Sequence, residues 1–135
     1  MSAHPPSFHD GYVKGVRLDD ASTTIYLQQS DGTDYEVILE GVEALQIDEF
    51  RESNIVSRVM VVTSKRPDSD CALDRLFWKP HPSAAKNYHE KHARLIAEQT
   101  SRIERGETTL FIAEPSFGAD LLALCKRVAF RKIGD

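Results

Sequence analysis

The chain has 135 residues, 41% of them hydrophobic and 28% charged, with two cysteines and a formal net charge of −4. That length supports one domain with a core of its own, needing neither disulfides nor metal, and the composition argues against wholesale disorder. No apolar run approaches the roughly 20 residues of a membrane-spanning helix, and an acidic chain with scattered basic residues makes a poor nucleic-acid binder.

The charge is unevenly spread. Residues 1–53 hold eleven acidic and three basic side chains, net −8, whereas residues 54–135 hold ten acidic and fourteen basic, net +4. Either the two parts face each other across one sheet and neutralise, or an acidic face is kept for a basic partner. The opening Met-Ser-Ala-His-Pro-Pro has neither the basic nor the apolar stretch of a signal peptide. We therefore expect a cytoplasmic protein with Cys71 and Cys125 as reduced thiols.

Residues 1–9 carry little to bury and read as a loose arm. Alternation then marks a strand over 12–18, with Tyr12, Val16 and Leu18 on one side and Val13 and Arg17 on the other. A second strand over 23–29 turns Ile25 and Leu27 inward. Asp31-Gly32 suits the positive φ of a tight hairpin, and a third strand follows over 35–40 with Val37 and Leu39 inward. Residues 42–47 fit a short strand or a crossover. Asp48 to Asn54 forms a polar loop that Phe50 should anchor. Ile55 to Thr63 is apolar at both parities near its end, as in a central strand covered on both faces. Residues 64–70 read as a loop, and 72–78 as a helical turn or a strand.

The longest regular signal is a helix over 83–105, begun by Ser83 after Pro80 and Pro82 and ended by Gly106. At about 100° per residue, Ala84, Ala85, Tyr88, Leu95, Ile96 and Ile103 share a stripe, and Leu95 should be fully buried against the sheet. His92 and Gln99 fall on that stripe too. They are either buried and hydrogen-bonded or the lining of a small polar pocket. A strand over 108–113 and a turn at 114–118 follow. In residues 119–133, Leu121, Leu122, Leu124, Cys125 and Val128 fit a helix, while the alternation of Val128, Phe130 and Lys132 fits a strand. We expect a turn or strand start at Leu121 passing into strand through Lys132.

Chemistry-bearing motifs are sparse. His9-Asp10 could act as an acid/base unit. His89 lies one turn before His92, but a metal needs a third and usually a fourth ligand. Asp48, Glu49, Arg51 and Asn54 concentrate donors and acceptors beside a central strand. Glu36 and Glu40 point outward from the third strand. Ser116 lacks the first glycine of a nucleophile elbow, and no phosphate loop, dinucleotide fingerprint or paired Cys-x-x-Cys is present.

Phe8-His9-Asp10-Gly11-Tyr12-Val13, Gly41-Val42, Phe50-Arg51-Glu52-Ser53-Asn54-Ile55 and Pro115-Ser116-Phe117-Gly118-Ala119 together resemble a layout seen in small bacterial domains of unknown function. The resemblance implies a compact α+β domain and no activity. The expected fold is accordingly α+β: a mainly antiparallel sheet of five to seven strands with one long helix packed on one face. The expected function is non-catalytic binding of a basic protein partner through an acidic face, as an immunity protein does, without a cofactor. Glu36, Glu40, Asp48, Glu49, Arg51, Asn54, His92 and Gln99 are the candidate binding residues. The alternative is a small metal-dependent or acid/base hydrolase using His9, Asp10, His89 and His92.

Overall fold

The computed structural model describes residues 5–134, and residues 1–4 of the expected arm lie outside them. The described residues form β1 (Tyr12–Leu18), β2 (Ser22–Gln28), β3 (Asp34–Glu40), β4 (Ala44–Asp48), β5 (Ile55–Val62), α1 (Pro67–Leu76), α2 (Lys86–Glu104), β6 (Thr109–Phe117), β7 (Asp120–Cys125) and β8 (Arg127–Lys132). The fold is α+β with an antiparallel sheet, but it has eight strands and two helices where five to seven strands and one helix were expected.

The sheet runs in the order β4-β7-β6-β5-β1-β2-β3-β8, and its two ends are continuous with strands further in. Gly41 to Glu43 join β3 to β4, and Lys126 alone separates β7 from β8. The ladder carries through both bends, because Lys126 N–H donates to Glu40 O at 2.8 Å and Glu43 N–H to Leu124 O at 2.8 Å. Opposite, β1 meets β5 at Tyr12 and Ile55, with Val13 N–H donating to Asn54 O at 2.9 Å and Val56 N–H to Gly11 O at 2.8 Å. The sheet thus curls into a six-stave barrel with no long open edge.

Alternation then separates two cores. Ile25, Leu27, Val37, Leu39, Val56, Phe111, Leu121 and Ala123 fill the inside of the barrel. Met60, Val62, Leu110, Ile112, Leu122 and Leu124 point outward from β5, β6 and β7 and pack with Ala72, Leu73 and Leu76 of α1 and Ile103 of α2. This explains the apolar character of β5 at both parities, and of β7, which is covered on both faces.

Several expectations are corrected. Val13 is buried and Val16 packs on the barrel core, because the register shift between Val13 and Gly15 brings both onto one face of β1; Leu18, at the end of that face, is 69% exposed. Phe8 belongs to no loose arm: it is 2% exposed and sits in the barrel core with its ring 5.3 Å from Tyr35 and 6.2 Å from Phe130. Phe50 is 51% exposed and anchors nothing. The 114–118 turn is instead the end of β6, where Pro115 pairs with Val56 between two register shifts, a place that tolerates a proline. Residues 119–133 are two strands meeting at Lys126.

The helix α1 was hidden because its first turn is polar. Pro67 stands in that first turn, Arg66 N–H donates to Ser69 Oγ at 3.0 Å, and that hydroxyl donates back to Arg66 O at 2.6 Å. Helix α1 lies between α2 and the sheet, so α2 covers less of the barrel than one long helix should. Only Thr100 and Ile103 of α2 are buried, while Tyr88 is 57% and Leu95 36% exposed. Helix α2 starts after Ala85, and Ser83, the expected cap, joins a turn with His81 instead.

Candidate interaction surface

The junction of α1 and α2 is where the fold leaves its largest apolar side chains in solvent. Helix α1 stops in a Schellman geometry, with Lys79 N–H donating to Asp74 O at 2.9 Å across the end of the helix. The residue that turns the chain is Trp78, at φ +57°. Glycine is the usual occupant of that position, because a Cβ in the left-handed region is strained. Trp78 is also 84% exposed. Pro80 and Pro82 forbid any continuation of the helix, Ala84 N–H donates to His81 O at 2.8 Å, and α2 then departs. Phe77, Trp78, Tyr88 and Leu95 thereby flank an open groove of about 430 Å³.

A second groove, of about 630 Å³, runs between the helices on their other side. It holds His92, whose Nε2–H donates to Asp74 Oδ1 at 2.8 Å, and Lys79 Nζ lies 3.8 Å from the same carboxylate. His92 is thus largely buried and hydrogen-bonded, and it fixes α2 to α1. Gln99 is half-buried and accepts from Arg102 at 3.0 Å, while Arg102 also holds both oxygens of Glu43 at 2.7 Å. These hydrogen bonds hold Glu43 below the usual carboxylate range and raise Arg102.

The other anticipated residues do not converge. Glu36 pairs with Arg131, and Glu40 accepts from Arg127 at 2.5 and 2.9 Å, both across the β3–β8 ladder. Arg75 reaches Asp120 at 2.5 Å and Asp48 at 3.9 Å. Glu49 pairs with Arg51 at 2.9 Å, and the Arg51 guanidinium lies 5.5 Å from the ring centroid of Phe117. The basic side chains of β8 and of the two helices therefore take up acids of the first half. Among the described residues of that half Asp20, Asp31, Asp34 and Glu52 have no ion-pair partner.

Asn54 is a hub of the barrel seam. Its Oδ1 accepts from Arg51 N–H at 2.8 Å and Ala119 N–H at 2.9 Å, and its Nδ2 donates to Arg51 O at 2.7 Å and Val13 O at 3.5 Å. Gly118 passes so close that a Cβ there would lie 2.5 Å from Asn54 Oδ1. His9 and Asp10 are 3.5 Å apart and both largely exposed, and His9 Nδ1 lies 3.0 Å from Ser57 O. That pair is on the β5 seam, whereas His92 faces α1. Among the described residues no three His, Cys, Asp or Glu side chains are grouped to hold a metal.

Trp78 carried a signal that sequence reading missed. In Leu-Phe-Trp-Lys-Pro-His-Pro a bulky aromatic directly precedes a proline-stiffened linker, where a chain that only needed a turn would use glycine. No family model, curated protein or solved structure matches the chain.

Proposed function

We propose that this is a non-catalytic interaction protein that binds a partner protein through the aromatic surface at the α1–α2 junction. The observation that carries the reading is Trp78, 84% exposed and held at a positive φ. It is unfavourable for the isolated chain in both conformation and hydration. Contiguous exposed apolar surface of this kind marks contact sites more often than it occurs idly, and Trp and Tyr are the side chains that supply binding energy at interface centres.

Engagement of a basic partner through the acidic meander is a weaker form of the same reading. Glu36 and Glu40 have cross-strand arginines, which leaves Asp31 as its best carrier. The Thr33 N–H holds the Asp31 carboxyl below the usual range, and it is solvent-exposed at the hairpin tip.

A photo-crosslinking phenylalanine analogue placed at Tyr88 or at Asp31 in producing cells separates the two surfaces. A discrete protein adduct from position 88 and none from position 31 is expected. Adducts from position 31 alone move the interface to the meander, and no adduct from either position removes the interaction reading.

A further inference from the structure

We propose that the α1–α2 groove takes an acidic peptide segment carrying an apolar anchor, a partner chemistry that rests on the interaction reading above. The walls are apolar: Phe77, Trp78, Tyr88 and Leu95. The groove's volume of about 430 Å³ lies within the range of pockets that hold ligands.

The charge at the groove is one-sided, with one ammonium and no carboxylate among its described lining residues. Its titratable side chains other than Tyr88 are His81, Lys91 and His92. The proton of His92 Nε2 is taken by Asp74. Ser83 N–H donates to His81 Nδ1 at 3.1 Å, so Nδ1 is an acceptor and the neutral ring carries its proton on Nε2, away from that turn. Lys91 is exposed and has no carboxylate within ion-pair distance among the described residues, unlike Lys79, which has Asp74. An aromatic trough edged by an unpaired ammonium and an imidazole N–H complements an anionic group next to an apolar side chain.

A second copy of the chain fits less well. Lys91 lies midway between Tyr88 and Leu95, so a twofold axis through the groove that paired the two helices would set Lys91 against its own copy. That like-charge contact would be desolvated in the middle of an otherwise apolar interface, where it is costly.

The test is selection of a phage-displayed random dodecapeptide library on the purified chain, followed by affinity measurements on the recovered peptides. Peptides rich in Asp and Glu beside Phe, Leu or Trp are expected. Trp78→Ala and Lys91→Glu should each weaken them by about tenfold or more. Lys86→Glu, about 160° around the helix from Tyr88, should leave them within about twofold. All three residues are exposed, and unchanged circular dichroism verifies folding. A pool that is basic or has no charge preference, no enrichment at all, or indifference to Lys91→Glu overturns the proposal. So does a dimer in sedimentation velocity that Trp78→Ala abolishes. A Tyr88 adduct in cells combined with a basic peptide pool would leave the interaction reading standing and remove only the acidic partner.

Discussion

Single residues hold this molecule at two places of opposite character. Asn54 is 2% exposed and spends both ends of its amide on β1, on the 48–54 loop and on the turn before β7. Asn54→Ala would orphan the Ala119 N–H in the interior and open the seam where β1 and β5 barely pair. We expect a loss of about 2–4 kcal/mol in chemical denaturation. Asn54→Asp should not rescue it, since an oxygen would replace Nδ2 opposite the carbonyls of Arg51 and Val13. Trp78 is the reverse case. Trp78→Gly relieves a left-handed Cβ and removes an exposed ring, so it should raise stability by about 1 kcal/mol and shift the thermal midpoint upward. The same variant should lose the peptides that the parent chain selects. A drop in the midpoint would mean that the ring contributes to the fold, and its claim as a contact residue would fall.

At the scale of elements, the tie between α2 and β4 is electrostatic as well as apolar. Arg102 clasps Glu43 just before β4 begins, with side-chain exposures of 22% and 35%. Glu43 has a folded pKa below its unfolded one, near 4.3 for a free glutamate. Its contribution is therefore complete above that value and lost as pH falls through the folded pKa. For a partly exposed pair the contribution should not exceed about 1 kcal/mol. Glu43→Gln should lower the melting temperature at pH 7 and leave it nearly unchanged near pH 3. An equal effect at both pH values would show that packing, not charge, is what the substitution removes. Helix α2 itself tolerates more than its stripe suggests. Leu95→Ala should cost well under the 2–5 kcal/mol of a core leucine, because Leu95 lies at the groove and not on the sheet.

For the whole molecule, barrel closure decides accessibility. Cys71 is exposed on α1 and Cys125 is buried at the end of β7, where burial pushes its thiol up to about 11. Native protein at pH 8 should take up one equivalent of iodoacetamide, and protein unfolded in guanidinium two, as counted by intact mass. Two rapid equivalents in the native state would mean that the β7–β8 bend opens. Closure also brings parts of the acidic and basic halves of the chain together. Because β8 returns beside β3, Arg127 and Arg131 neutralise Glu40 and Glu36, and Arg102 does the same for Glu43. No helix among the described residues is long and apolar enough to cross a membrane.

What was legible in the chain is what short-range physics determines. Alternation placed β2, β3 and the inward Ile25, Leu27, Val37 and Leu39; Asp31-Gly32 marked the hairpin; two-sided apolarity marked β5 as covered on both faces; Gly106 ended α2. His92 was recognised as a polar group on an apolar stripe that must find a partner, though that partner, Asp74, was not. The rest depended on contacts distant in sequence. A bulge of one residue in β1 brings Val13 onto the face of Val16, and no local pattern announces it. Helix α1 begins with polar residues and becomes visible only when Ala72, Leu73 and Leu76 meet the outer face of β5 to β7. Its insertion there leaves Tyr88 and Leu95 of α2 uncovered, which turns an expected core stripe into a candidate binding surface. The pairing of acidic β3 with basic β8, about 90 residues apart in the chain, is likewise set by closure of the barrel, because charge complementarity across a ladder exists only once tertiary structure has chosen the neighbours.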